Sequence, residues 1–382
     1  MFSNFYTYIL FYLLIISSSM GYGLAINSIS QKYKITNNLG YIGLIGVFFL
    51  IIYAYISSFF ISHGKVHNLI ILAIGVIFFI KSYFNNSKKE EWNYFFLIFL
   101  ILLIAAFIFK THDDFKYYHF SYSYYLTENP LIFGMGNINL GYRTPSSIFY
   151  LNSLFYLPII NYFVLNIGAI LYMGFTNIFL INRISKFLKI KNIFLLFLSL
   201  LSFLYINTAF YRISEHGTDR SALILIFLLI IVMLESINIK NIKDNIPVLK
   251  KYYNEIIILL FLIISLKIFY LIYLVLFLTW LIYFINTVKL KDIFYILLKN
   301  PITYFLIYGV FLVLINIFLN TGCIILVRIY PSGGWRCVDV DMTSARCAIQ
   351  GPASADAALV GRSEIVPPFT APSRSEKYVS AR

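Results

Sequence analysis

The sequence is poor in charge. Of its 382 residues only 12% are Asp, Glu, Lys or Arg, while 60% are apolar. A soluble domain carries about 25% charged residues, so a water-soluble globular fold is excluded. Cysteine is scarce as well. Its three positions, Cys323, Cys337 and Cys347, all lie near the C-terminal end, so no disulfide framework organises the rest. The short alternating segments of a transmembrane barrel are missing. So are a Walker loop, a Gly-x-Ser-x-Gly elbow, a His-Glu-x-x-His pair and a dinucleotide fingerprint. No internal repeat is evident, which weighs against a transporter built from two halves.

What is there is apolar and aromatic. The chain holds 38 Phe and 32 Tyr, and its mean hydropathy is +0.82. That much apolar surface excludes disorder over most of the chain. Long unbroken apolar runs predict an all-α polytopic transmembrane helical bundle. The net charge of +14 then reflects loop sidedness and not nucleic acid, which is not an expected partner.

Apolar runs fall near 5–24, 39–61, 67–84, 93–109, 162–181, 193–210, 221–236, 255–286 and 301–319. Most match the roughly 30 Å of hydrocarbon a helix must cross. The first run lacks a basic flank before it and reads as an anchor, not a cleaved signal. The run at 255–286 is too long for one span and carries Lys267 in its middle, so it reads as two segments broken there. That makes about ten membrane segments. One set of alternate loops, including Lys32, Lys88, Arg183, Lys250 and Lys299, holds sixteen basic residues, and the opposite set holds six. The positive-inside bias therefore predicts an N-terminus outside. This parity requires that Ser147–Pro158 does not cross and that 255–286 crosses twice.

Composition changes abruptly near Ile325. Only four arginines precede it, while six arginines, eight alanines and five of the ten prolines follow it. Residues 1–324 read as the transmembrane domain. Residues 325–382 read as a compositionally foreign, disordered tail, of the kind a frameshift or chimeric join produces. Cys337 and Cys347 can pair in an oxidising compartment or stand as free thiols.

Two loops opposite the basic ones concentrate polar side chains. The loop 111–146 contains His112, Asp113, Asp114, His119 and Arg143; the loop 211–220 contains Arg212, Glu215, His216, Asp219 and Arg220. Adjacent aspartates at the end of a span admit three uses. One can act as a general base, both can hold a divalent cation, or they can cap a helix over Phe115–Tyr125. Helical order places Asp113 and Asp114 one turn from Tyr117 and Tyr118, which predicts a local hydrogen-bond network. The histidines taken singly read as hydrogen-bonded interface residues. Lys267 either snorkels or marks a loop, or it holds an anionic group at membrane depth.

The segment His112-Asp113-Asp114-x-x-x-Tyr118-His119, followed by Gly134 to Pro145 and an amphipathic helix, resembles a family of uncharacterised bacterial multispanning proteins. Ser214-Glu215-His216-Gly217-Thr218-Asp219, Lys267 in a broken span, and Thr321-Gly322-Cys323 share that likeness, which covers roughly 90–324. Those proteins look like members of the GT-C superfamily of polytopic glycosyltransferases. The resemblance implies sugar transfer from a polyprenyl-phosphate donor to an envelope glycan or lipid acceptor, on the periplasmic side of a bacterial inner membrane. It assigns the essential acidic role to Asp113 or Asp114, as base or as ligand of Mg or Mn. His112, His119, Arg143, Glu215, His216 and Asp219 would then line the substrate site, and Lys267 with Arg212 or Arg220 would hold the donor phosphate. Family members run well past Cys323, where this chain turns to unrelated sequence. The alternatives are an O-antigen polymerase, or a non-catalytic transporter of lipid-linked saccharides.

Overall fold

The computed structural model describes residues 2–29, 36–84, 89–107, 113–115, 117–160, 167–213, 218–238, 246–288, 290–321, 336–340 and 347–350. The chain divides into two units, Met1–Gly322 and Cys323–Arg382.

The first unit is a helical bundle. Its helices are α1 (Phe2–Ile29), α2 (Leu39–Ser58), α3 (Lys65–Phe84), α4 (Lys89–Ala106), α5 (His119–Glu128), α6 (Ser147–Ser153) and α7 (Ile167–Lys189). They are followed by α8 (Ile193–Ala209), α9 (Thr218–Ile237), α10 (Ile246–Leu266), α11 (Leu274–Thr287), α12 (Leu290–Leu298) and α13 (Pro301–Thr321). Among the described residues seven segments are long and apolar enough to cross a membrane: α1, α2, α3, α7, α9, the stretch Ile268–Thr287 and α13. The apolar helices α4 and α8 are shorter. Polar caps set several boundaries. Asn38 accepts from the Tyr41 N–H to start α2, and Asn192 accepts from the Leu195 N–H to start α8.

Burial sorts centre from edge. The most apolar windows of α2 and α7 are 83% buried, whereas those of α3 and α13 are 22% and that of Ile268–Thr287 is 17%. Exposed Ile70, Phe197, Ile282 and Phe311 make the outer helices apolar on the side facing away from the protein, as a lipid solvent requires. Close approach at the centre depends on glycine. A Cβ on Gly46 of α2 would lie 1.7 Å from the Ser19 carbonyl oxygen of α1, and one on Gly21 would lie 1.9 Å from the Gly75 oxygen of α3. Gly46→Leu is expected to lower the thermal midpoint in detergent by an amount equivalent to about 1–3 kcal/mol or more. Gly64→Ala, with nothing within 4 Å of its Cβ, should leave it unchanged. Equal midpoints would show that α1 and α2 do not need this contact.

The structure moves some boundaries. α10 begins at Ile246, nine residues before the apolar run, and takes Lys250, Lys251, Asn254 and Glu255 into the helix. The segment Ser147–Pro158 does not cross, because α6 is only 7 residues long and is buried in the bundle. At Lys267 the long run does break. α10 stops at Leu266, Lys267 is extended at φ −157° and ψ 121°, and a 3-10 turn over Ile268–Tyr273 leads into α11.

Backbone bonds tie one set of helix ends together. The His63 N–H donates to the Leu126 carbonyl at 2.8 Å, Leu131 to Ser58 at 2.7 Å, and Gly134 to Leu319 at 2.8 Å. The ends of α2 and α13 therefore share a face with α5 and the loop after it. At the opposite face, Asn38 Nδ2 donates to the Phe179 carbonyl at 3.2 Å, and Asn300 bonds Asn254.

In the second unit β1 (Arg336–Val340) and β2 (Cys347–Gln350) pair antiparallel. The register sets Cys337 opposite Ile349 and Cys347 opposite Val340, so the two cysteines are not cross-strand partners. The rest of the segment read as a disordered tail lies outside the described residues.

Candidate functional site

The chain brings two carboxylates, a cation and two phenols toward one place on the face that carries α5. Asp114 sits in a 3-10 turn (Asp113–Phe115) after α4, and its Oδ2 accepts from the Tyr118 hydroxyl at 3.3 Å. Asp219 lies in the first turn of α9, where the positive end of the helix favours a carboxylate. Lys267, freed from helix at the break after α10, donates from Nζ to Asp219 Oδ1 at 2.7 Å and Oδ2 at 2.8 Å. Tyr270, one turn on, donates its hydroxyl to Asp219 Oδ1 at 3.3 Å.

Tyr118 links the two halves. Partial burial, then the charge and hydrogen bond of Asp114, and then the charge of Asp219 push its pKa up to about 12. The phenol therefore stays protonated at neutral pH and donates to Asp114, close enough to Asp219 to feel its charge. The Lys267–Asp219 pair is open, with side chains 45% and 51% exposed. Such pairs contribute about 0–1 kcal/mol, so this one is a minor part of the fold energy and a ligand can open it at small cost.

The remaining candidates scatter. His119 is buried against Tyr118 and Phe149, with ring centroids at 4.4 and 5.0 Å, and packs α5 onto α6. Arg143 is exposed and turns back on its own loop, its Nε donating to the Gly136 carbonyl at 3.3 Å. Arg212 is exposed and bonds the Tyr211 hydroxyl at 2.7 Å. Arg220 is half-buried on the first turn of α9. His112, Glu215 and His216, and the side chain of Asp113, lie outside the described residues.

The capping expectation needs correcting. α5 begins at His119, its N-cap is Tyr118, and no side chain bonds that cap. Asp114 instead receives the Tyr118 backbone N–H on its main-chain oxygen at 3.2 Å and the phenol on its carboxylate. Of the pair expected to hold a divalent cation, the structure describes only the Asp114 side chain. Among the described residues no three His, Cys, Asp or Glu side chains come together, and Asp219 already accepts an ammonium and a hydroxyl.

A profile of the family described as Domain of unknown function (DUF8201) matches residues 6–350. The chain belongs to this family. The match takes in most of α1 and all of α2–α13, continues past the compositional change at Ile325, and ends with β2. No curated protein and no solved structure matches the chain.

This DUF8201 protein carries a second polar cluster, which pattern reading missed. Arg183 of α7 bonds Glu235 of α9 at 3.1 Å and Glu255 of α10 at 2.8 Å, and all three side chains are about 5% exposed or less. Lys186 also bonds Glu235, the Tyr252 hydroxyl donates to Glu235 at 2.8 Å, and the Tyr41 hydroxyl donates to the Glu255 carbonyl at 2.6 Å. Counted with its loop, Arg183 is one more positive charge. In the fold it bridges two acids inside the bundle, and Lys186 supplies the second positive charge. The available signal was that Glu235 and Glu255 both sit within or beside apolar runs. His63, also unremarked, lies in the turn between α2 and α3. It bonds Ser57 at 2.8 Å and Ser153 at 2.6 Å, and burial with His67 beside it pushes its pKa down to about 3. It is a neutral structural bridge that positions α6.

Proposed function

We propose that this protein is a GT-C-like inverting glycosyltransferase of a bacterial inner membrane, working on the periplasmic face with its N-terminus outside. The observation that carries this reading is the meeting of Asp114, Tyr118, Asp219, Lys267 and Tyr270 at span ends, on the face away from the basic loops. The resemblance in the loop sequences and the excess of basic residues on the opposite side support it further.

The donor is a sugar linked to a polyprenyl phosphate, and the acceptor is a hydroxyl of an envelope glycan or lipid. Asp114 takes the proton from that hydroxyl as its oxygen attacks the anomeric carbon. The bond from that carbon to the phosphate oxygen breaks, and the polyprenyl phosphate leaves with the electron pair. Lys267, shared between Asp219 and the phosphate, stabilises the charge that develops there. Tyr270 holds Asp219, and Asp219 in turn holds the ammonium at the phosphate's depth. Arg212 and Arg220 add positive potential from the neighbouring loop. A phosphate leaving group needs no protein acid, so one base and one cation complete the set.

The test is purified protein in proteoliposomes with a polyprenyl-phosphate-linked radiolabelled hexose and an envelope extract as acceptor. Label is expected to move to the extract. Lys267→Gln is expected to cut transfer by about 10²–10³, as loss of one charge-stabilising donor does elsewhere. Movement of intact donor across the bilayer, with no label on acceptor, would overturn the enzyme reading in favour of transport.

A further inference from the structure

The face opposite Asp114 carries a cleft of about 690 Å³, between the start of α2, the start of α4, the end of α7 and the start of α10. Its lining includes Arg183, Lys186, Lys189 and Lys251, together with Asn182 and one carboxylate, Glu91. The volume lies within the range of small-molecule sites, about 300–1,000 Å³. The cations are not all spent on the protein. Arg183 and Lys186 answer Glu235 and Glu255, whereas neither Lys189 nor Lys251 is in an ion pair among the described residues.

A second observation points the same way. Two lining residues keep a buried N–H donor with no acceptor: Nε of Arg183 and Nδ2 of Asn182. The Arg183 side chain is only 5% exposed. A buried donor without an acceptor is costly, and more so on a charged group. Among the described residues Lys189 and Lys251 have no ion-pair partner, Lys251 feeling Glu255 and Glu235 only through space, and the two N–H donors have no acceptor. Several oxygens carrying negative charge answer all four.

We propose that this cleft binds a phosphate-bearing anion, with its oxygens between Lys189 and Lys251 and beside Arg183 and Asn182, whose buried N–H donors a small side-chain shift brings to it. Phosphate suits the site because it presents three or more acceptor oxygens to donors that converge from different helices. Lys186, 42% exposed, can swing between Glu235 and the ligand. The site is separate from the Asp114 cluster and does not depend on glycosyl transfer.

The phosphate can belong to a soluble ester or to a lipid headgroup, and two arms distinguish them. In the first, full-length protein in phosphatidylcholine nanodiscs is titrated with inorganic pyrophosphate by calorimetry. In the second, thermal midpoints are compared between nanodiscs with and without phosphatidic acid. Saturable pyrophosphate binding identifies a soluble ligand; a raised midpoint with phosphatidic acid alone identifies a headgroup. In either arm Lys189→Gln/Lys251→Gln is expected to weaken the response about tenfold or more, while Lys299→Gln, on the same face but outside the cleft, leaves it intact. If the double variant does not fold, Lys189→Gln alone, at an exposed position, should still weaken it about threefold. No response to either probe, or a response unchanged in the folded lysine variants, overturns the proposal.

Discussion

Asp114→Asn is expected to lower glycosyl transfer by about 10²–10⁴ at unchanged protein abundance. Loss of a positioned general base costs that much in rate, because an amide cannot take the proton of the attacking hydroxyl. The substitution is gentle in every other respect. Asn keeps the shape of Asp and still accepts from the Tyr118 hydroxyl, which stays protonated with one carboxylate fewer beside it. The start of α5 is untouched, since its N-cap is Tyr118 and no side chain bonds that cap. Stability should therefore move by only a few tenths of a kcal/mol. Transfer in reconstituted membranes is the measurement, with Asp113→Asn as the parallel variant. Loss with Asp114→Asn and not with Asp113→Asn assigns the base to Asp114. Full transfer with both removes the carboxylates from the mechanism.

The second large effect concerns stability. Arg183→Leu leaves Glu255, which is wholly buried, without its cation, and leaves Glu235 with Lys186 alone. Stranding a buried charge costs about 3–5 kcal/mol. The site has little spare capacity to absorb it, because one oxygen of each glutamate already lacks a hydrogen-bond partner. The thermal midpoint in detergent and the amount of folded protein in the membrane should both fall sharply. Arg183→Leu/Glu255→Leu should recover much of the loss, since replacing both partners by apolar groups removes the uncompensated charge. A double variant no better than the single one would mean that Arg183 acts through its packing on Phe179, 4.9 Å from that ring, and not through its charge.

Much of the bundle is legible in one dimension, because lipid imposes a local rule. A helix in hydrocarbon must satisfy its own backbone and be apolar over about twenty residues, so α2, α3, α8, α9 and α13 begin and end close to their apolar runs. The break at Lys267 follows from the same rule, since a lysine is expensive in mid-membrane. The pairing of Asp114 with Tyr118 was legible too, as it is a contact one turn apart. The rule fails where polar residues are paired inside the protein. α10 runs nine residues beyond its apolar stretch, where Tyr252 bonds Glu235, and Glu255 at the edge of that stretch meets Arg183, a partner 72 positions away.

By itself, then, the sequence determined a charge-poor, helical, multispanning chain, the place of its broken span, and which loops are polar. Only the tertiary structure decided which of those polar residues meet. It joined Lys267 to Asp219 and Tyr270, turned Arg143 onto Gly136, buried His119 under Tyr118, and drew Arg183, Glu235 and Glu255 into one network. Hydropathy is a property of each segment taken alone. A charge is tolerated within the bundle only beside a partner, and that partner comes from another helix.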